Sequence, residues 1–301
     1  MDRLESMSIL ITAVDQGSLS AAARRLGIPL TNVSRKVSEL EAHLKTRLVN
    51  RSSRRLTLTD AGRSYVADCK RILELVGEAE RAATGEYSAP KGDLAITAPI
   101  VFGRLHVLPV VTEFLKAYPE IDIRLVFADR IVNLVEEHFD LAVRIGELPD
   151  SSLVATRIGT IRHVVCGNPG YFAARGMPRT PGELGRHDCI TFESLISPSA
   201  WIFTIGKATK SVPIHSRLVV NTAEAAINAA VAGIGIARVL SYQVAPEIRT
   251  NQLVLALKEF EPAPWPVSLV YTGQRLLPSK VRVFLDYAVP RLKATLSAGA
   301  I

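Results

Sequence analysis

Two helical patterns near the start of the chain meet at a tripeptide that can continue neither. Residues 18–26 and 31–44 carry apolar side chains at helical spacing, and Gly27-Ile28-Pro29 lies between them. Proline has no N–H to give and its ring clashes with the preceding turn, so the backbone must change direction there. Two helices joined so tightly form a helix-turn-helix. Ahead of them, Leu4, Met7, Ile11 and Val14 predict a first helix with one apolar stripe, ended by Gly17. Ser18 or Ser20 is placed to cap the second helix, whose inner face reads Ala22, Ala23 and Leu26. Thr31 is the expected cap of the third. That helix should bury Val33, Val37, Leu40 and Leu44 and leave Asn32, Arg35, Lys36 and Glu39 on its opposite face.

Charge singles out the same region. The 301 residues carry a formal charge of +7, from 36 Lys+Arg against 29 Asp+Glu. Nine of those bases and only two acids, Glu39 and Glu41, lie in residues 24–55, leaving 27 of each elsewhere. The whole net charge therefore belongs to one stretch. Two readings stand: a solvated basic face, or a surface for a polyanion such as nucleic acid. With 48% hydrophobic and 22% charged residues, the chain is not disordered, collagenous or a coiled-coil rod, and its length suits two or three domains.

Beyond the third helix, Arg51-Ser52-Ser53-Arg54-Arg55 is a basic tip, followed by the alternation Leu56-Thr57-Leu58-Thr59 of a short strand. Tyr65, Cys69, Ile72, Val76, Ala79 and Ala83 then form a heptad-like seam. It either pairs with a second chain or packs on its own domain. Tyr87-Ser88-Ala89-Pro90-Lys91-Gly92 reads as a linker. The rest alternates strand and helix: strands at 94–98, 121–127, 141–145, 163–167, 212–220, 234–237 and 267–271, and helices at 103–117, 131–138, 222–232 and 279–296. Such alternation predicts a parallel sheet in an α/β unit of one large or two small domains.

A helix-turn-helix enters the DNA major groove with the start of its second helix. Asn32 and Arg35 suit adenine and guanine edges, Lys36 lies beside them, and Thr31, Ser34 and Ser52 suit phosphate oxygens. With Ser20, and with Arg51, Arg54 and Arg55 on the tip, these are the candidate DNA-contacting residues.

At this point the chain resembles a known family. Ser20-Ala21-Ala22-Ala23-Arg24-Arg25-Leu26 followed by Val33-Ser34-Arg35-Lys36-Val37-Ser38-Glu39-Leu40-Glu41 is similar to the helix-turn-helix of LysR-type transcriptional regulators. The segment from Arg51 to Gly62 resembles that family's wing and the entry to its linker helix. Asp129-Arg130-Ile131-Val132-Asn133-Leu134-Val135, Phe139-Asp140-Leu141-Ala142-Val143-Arg144-Ile145-Gly146 and Ala232-Gly233-Ile234-Gly235-Ile236-Ala237 resemble its regulatory subdomains. The resemblance implies a winged helix-turn-helix (1–59), a dimerising linker helix (60–90) and an effector-binding domain (91–301) like a periplasmic binding protein. In that domain, subdomain I covers about 91–162 and 267–301 and subdomain II about 163–266. It further implies sequence-specific binding to double-stranded DNA, tuned by a small effector in a cleft. The implied partners are a second copy, as dimer or tetramer, and RNA polymerase. Lys45, where the family usually has glycine, should end the third helix less sharply, and Val49, where it usually has phenylalanine, should leave a smaller core contact. Asn133 and Arg238 also depart from the pattern, and the motifs do not name an effector.

The candidate effector residues follow from strand and helix ends. Thr97-Ala98-Pro99, with Val101 and Phe102 beyond, ends a strand and opens a helix whose N–H groups suit an anion, and Asn221-Thr222 does the same elsewhere. Arg144 at a strand end suits a carboxylate. Each also has a structural reading, as helix cap or internal ion pair. Trp201 and Phe203 line the cleft or belong to the core. No Walker A, Gly-x-Ser-x-Gly or His-Glu-x-x-His motif occurs, and Gly233-Ile234-Gly235 is no dinucleotide fingerprint, so no enzyme, cofactor or metal is expected. His187-Asp188-Cys189 reads as a surface loop, and Cys69 as a buried apolar thiol. Without a signal-peptide pattern after Met1 or a long apolar run, a cytoplasmic protein without membrane contact is expected. The other class to consider is a solute-binding protein with a basic N-terminal anchor.

Overall fold

The computed structural model describes residues 2–51, 56–84, 90–148, 152–192, 199–273 and 277–298. The chain divides into two units, Met1–Ser88 and Ala89–Ile301. The first holds α1 (Arg3–Asp15), α2 (Leu19–Leu26), α3 (Leu30–Leu44), β1 (Val49–Arg51), β2 (Leu56–Leu58) and α4 (Asp60–Thr84).

Around Leu10, Ala22, Val33, Val37, Leu40 and Leu48 these elements share one core. On α1 the fully buried residues are Ser6, Ile9, Leu10 and Ala13; of the predicted stripe, Ile11 and Val14 pack half-buried against the same core, Met7 is half-buried and Leu4 is exposed. The small Ser6 and Ala13 let neighbouring helices come close, and the Ser6 hydroxyl is satisfied by donating to the Asp2 carbonyl at 2.7 Å. Ser18, not Ser20, caps α2 by accepting from the Ala21 N–H. Leu26, expected on the inner face, remains exposed. The cap position of α3 is Pro29, whose φ of −58° enters the helix directly, so the predicted cap Thr31 lies inside the first turn. Lys45 adopts the left-handed conformation with φ +51° and closes α3 with bonds to Ala42 and Glu41 carbonyls. The helix thus ends as sharply as it would on glycine, contrary to expectation.

β1 and β2 pair antiparallel, Val49 opposite Leu58 and Arg51 opposite Leu56. The basic tip between them, Ser52, Ser53, Arg54 and Arg55, lies outside the described residues. Thr59 and Gly62 fasten this hairpin to α4. The Thr59 hydroxyl donates to the Arg47 carbonyl at 2.7 Å and accepts from the Gly62 N–H at 2.9 Å. A Cβ on Gly62 would lie 1.9 Å from the Leu48 carbonyl oxygen, so only glycine fits. The predicted seam of α4 divides: Cys69 is buried and Tyr65 packs half-buried beside the core residue Val66, which lies off the seam, whereas Ile72 is 40% exposed and Ala79 is exposed.

In the second unit, β3 (Gly92–Ala98), α5 (Ile100–Phe102), a π-helical turn (Gly103–Val107), α6 (Leu108–Ala117), β4 (Ile121–Phe127), β5 (Leu141–Ile145) and β6 (Leu153–Ile161) come first. Next are β7 (His163–Gly167), α7 (Pro169–Arg175), β8 (Asp188–Phe192), β9 (Ala200–Ile205), β10 (Ala208–Pro213), β11 (His215–Val220) and α8 (Ala223–Val231). The last are β12 (Ile236–Leu240), α9 (Ala245–Arg249), β13 (Val254–Ala256), β14 (Trp265–Thr272) and α10 (Ser279–Ala298). Two five-stranded sheets result, ordered β4-β3-β5-β14-β6 and β11-β8-β12-β7-β13.

Both sheets are mixed, which corrects the parallel expectation. β3 runs parallel to β4 and β5, but β14 is antiparallel to β5 and β6. β8 runs parallel to β11 and β12, but β7 is antiparallel to β12 and β13. The antiparallel strands flank two direct crossings between sheets: β6 to β7 through Arg162, and β13 back to β14. A strand that arrives without a helical crossover is free of the parallel constraint.

Predicted helix 131–138 is instead a run of turns. The Asn133 side chain accepts from the Val135 and Glu136 N–H groups, and the Asn133 N–H donates to Glu137. These local bonds compete with the helix. Trp201 and Phe203 are core, packed with Phe172 and Leu184. His187 is buried and Asp188 opens β8, so that cluster is not a surface loop. Gly235 is required by packing, because a Cβ would lie 2.3 Å from the Asp188 carbonyl oxygen. All three cysteines are buried, and burial pushes the Cys166 and Cys189 thiols up to about 12.

Candidate functional site

On the first unit, α3 buries Val33, Val37 and Leu40 and turns Thr31, Asn32 and Arg35 outward. Ser20 on α2 is exposed too, and Ser34 is half-buried. Arg35 Nη1 donates to Glu39 Oε1 at 2.7 Å, one helical turn along. Such exposed pairs are worth only about 0.3–0.5 kcal/mol, so a stronger acceptor such as a base edge or phosphate can take the guanidinium. Lys36 departs from its expected place. Its ammonium is bonded to Glu5 of α1 and its side chain is only 16% exposed, so it braces α3 against α1. Arg51 lies on β1; Ser52, Arg54 and Arg55 are outside the described residues. Sequence reasoning missed Glu41, whose Oε1 accepts from the Leu48 and Val49 N–H groups at 2.8 and 3.1 Å and fixes the entry to the hairpin.

On the second unit, a cavity of about 220 Å³ opens beyond the carboxyl ends of β3, β4 and β5, the usual place for a ligand in open α/β sheets. Thr97, Ala98, Pro99 and Arg144 line it, as the sequence led one to expect. Val101 and Phe102 do not; they are buried in the core beneath α5. Asn221 and Thr222 are also absent from the lining. Thr222 caps α8 by accepting from the Ala225 N–H at 3.2 Å. At the start of α5 the Ile100 N–H donates to Asp129 Oδ1 at 3.0 Å.

Asp129, Tyr242, Gln243, Phe192 and Trp265 complete the site and were not foreseen. The first was within reach, since it follows β4 at the same sheet end that pointed to Thr97. The others come from distant segments that only the two crossings bring together. Arg144 gives one guanidinium nitrogen to the Val132 carbonyl. Burial lowers its pKa, and the Glu137 charge partly offsets this. Arg130 is held on Glu137 by both terminal nitrogens. Behind the wall, His163 packs edge-on to Trp265 with ring centroids 4.2 Å apart. Burial, with Arg238 adding, pushes its pKa down to about 3. Arg104 Nη2 and Glu224 Oε1 meet at 2.6 Å, joining the π-helical turn to the start of α8.

Comparison with known proteins places both parts. The family profile described as bacterial regulatory helix-turn-helix protein, lysR family, matches residues 4–63, and that described as LysR substrate binding domain matches residues 88–293. The chain belongs to the LysR family of transcriptional regulators. Relatives include an uncharacterized HTH-type transcriptional regulator of Haemophilus influenzae, 34% identical over 281 residues, which span 93% of this chain and 98% of that protein. The HTH-type transcriptional activator AaeR of Escherichia coli is 32% identical over 293 residues, which span 95% of this chain and 93% of AaeR. Among solved structures, CrgA, a LysR-type transcriptional regulator from Neisseria meningitidis, is 30% identical with a TM-score of 0.61 and coverage of 96% and 98%.

This LysR-type regulator therefore carries its DNA-binding domain in the winged helix-turn-helix and its effector-binding domain in the two-sheet unit. Among the described residues, no helix is long and apolar enough to cross a membrane, and no group of His, Cys, Asp and Glu could hold a metal ion.

Proposed function

We propose that α3 enters the major groove and reads bases through Asn32 and Arg35, while Ser20, Thr31 and Ser34 hold phosphates. Arg51, Ser52, Arg54 and Arg55 of the wing act on the backbone or the minor groove. The observation that carries this is the outward placement of Asn32 and Arg35 at the start of α3, opposite its buried face. Lys36 serves as a positioning residue through Glu5. On the second unit the cavity takes the effector, with an anionic group of the ligand meeting Arg144. Ile72, uncovered on the apolar seam of α4, supports self-association through this helix as a dimer or a tetramer. Work in the cytoplasm, no catalytic activity, and contact with RNA polymerase complete the reading.

Titration of the full chain against its own upstream DNA over a range of salt tests the DNA assignments. Arg35→Ala should cost about 1–3 kcal/mol and relax discrimination at one base position. Arg54→Ala should weaken binding to all sequences alike and flatten the salt slope by about one. A uniform loss with Arg35→Ala, or an unchanged slope with Arg54→Ala, would remove the corresponding assignment.

A further inference from the structure

The cavity presents two opposite charges that do not satisfy each other. Asp129 spends one carboxylate oxygen on the Ile100 N–H, and Arg144 spends one nitrogen on the Val132 carbonyl. Among the described residues no ion pair within 4.0 Å joins them or engages either one, although the Glu137 charge, itself paired with Arg130, also acts on Arg144. Arg130, the third charge in the lining, is already held at both terminal nitrogens by Glu137. Much of the remaining wall is apolar: Pro99, Ile131, Phe192 and Trp265.

A ligand that fills such a space strips water from both charges, and a buried charge without a partner is costly. A simple carboxylate would satisfy Arg144 and leave Asp129 dehydrated beside a like charge. A simple amine would do the reverse. One ligand answers both demands, if it carries an anion and a cation on the same small frame. Size points the same way, since about 220 Å³ is below the range of roughly 300–1,000 Å³ typical of drug-sized pockets.

Resting on the reading of this cavity as the effector site, we propose that the effector is a small ampholyte of amino-acid type. Its carboxylate lies on Arg144, its ammonium on Asp129, and its compact apolar body lies against Phe192 and Trp265.

The test uses the full-length protein and the apolar α-amino acids, each beside its des-amino acid and its decarboxylated amine. Leucine with 4-methylvalerate and isoamylamine is one such set; phenylalanine with 3-phenylpropionate and phenethylamine is another. Affinity is read by calorimetric titration and by the rise in melting temperature that ligand binding gives through mass action. At least one amino acid should bind at least tenfold more tightly than both of its analogues. Asp129→Asn, which can still accept from the Ile100 N–H, should bring that amino acid down to the affinity of its des-amino acid. Arg144→Gln should remove binding of both. Failure of every amino acid to bind at millimolar concentration overturns the proposal, as does a des-amino acid that binds as tightly as its parent. If that des-amino acid loses affinity with Arg144→Gln, the cavity still stands as the effector site. If neither variant changes the binding of any probe, the cavity reading falls as well.

Discussion

Lys45 shows how a side chain can occupy a place made for another. With φ at +51° it holds the left-handed turn that ends α3, where a Cβ is strained and glycine is not. Lys45→Gly should raise stability by about 0.5–1 kcal/mol, read as a shift in the urea midpoint of the transition that reports on the helix-turn-helix. A lower midpoint would show that the lysine makes a compensating contact. By charge alone, the basic cluster of this region puts Arg35 and Lys36 on an equal footing. Only the placement of Glu5 on the neighbouring helix separates them, because it takes the Lys36 ammonium out of the exposed set. Partners 31 residues apart leave no local pattern to read. Effector candidates divide for a similar reason. Thr97 and Arg144 could be found from strand ends, whereas Val101 and Phe102 lie on the buried side of α5, a rotation that the sequence does not specify.

Among elements, the three helices, the wing strand β2 and the linker helix were all legible, because each has a periodic apolar face bounded by a breaker. The turns at 131–138 were misread since Leu134 and His138 share helical spacing, while the decisive bonds come from the Asn133 side chain. Strand directions were beyond local pattern altogether, being set by the two crossings. The join between wing and linker helix makes a sharp test. Gly62 lies against the Leu48 carbonyl so closely that a methyl group cannot be added without moving backbone. Gly62→Ala should therefore destabilise the first unit by about 1–3 kcal/mol, despite alanine's better helix propensity. Thermal unfolding followed by far-ultraviolet circular dichroism checks this, and an unchanged or higher midpoint would contradict the close approach.

For the molecule as a whole, the two crossings concentrate acid sensitivity in the regulatory unit. His163 stands directly after the first crossing and packs on Trp265 at the end of the second. The unfolded chain takes up its proton near 6.5, but the folded chain does so only at about 3. Stability from this group is therefore full above pH 6.5, falls by about 1.4 kcal/mol for each unit of acidification, and stops falling near 3. Burial lowers His106 and His187 as well, so they act in the same sense. His163→Phe, which keeps an aromatic edge on Trp265, should flatten the acid limb of a urea-stability profile. A limb of unchanged slope would assign the acid loss elsewhere.

One consequence of the wing's attachment is mechanical. Thr59 and Gly62 clamp the foot of α4 to the hairpin that precedes it, so helix and wing turn as one piece. Val66 and Cys69 are buried in this unit and Lys70 pairs with Asp15 of α1 at 3.0 Å, so the helix is held down as far as its middle. The residues beyond, 71–84, make an arm of about 21 Å at 1.5 Å per residue. Bending that arm by about ten degrees moves its tip by about 4 Å, less than the 5.4 Å helical pitch, and a push at the tip bears on α1 as well as on the wing.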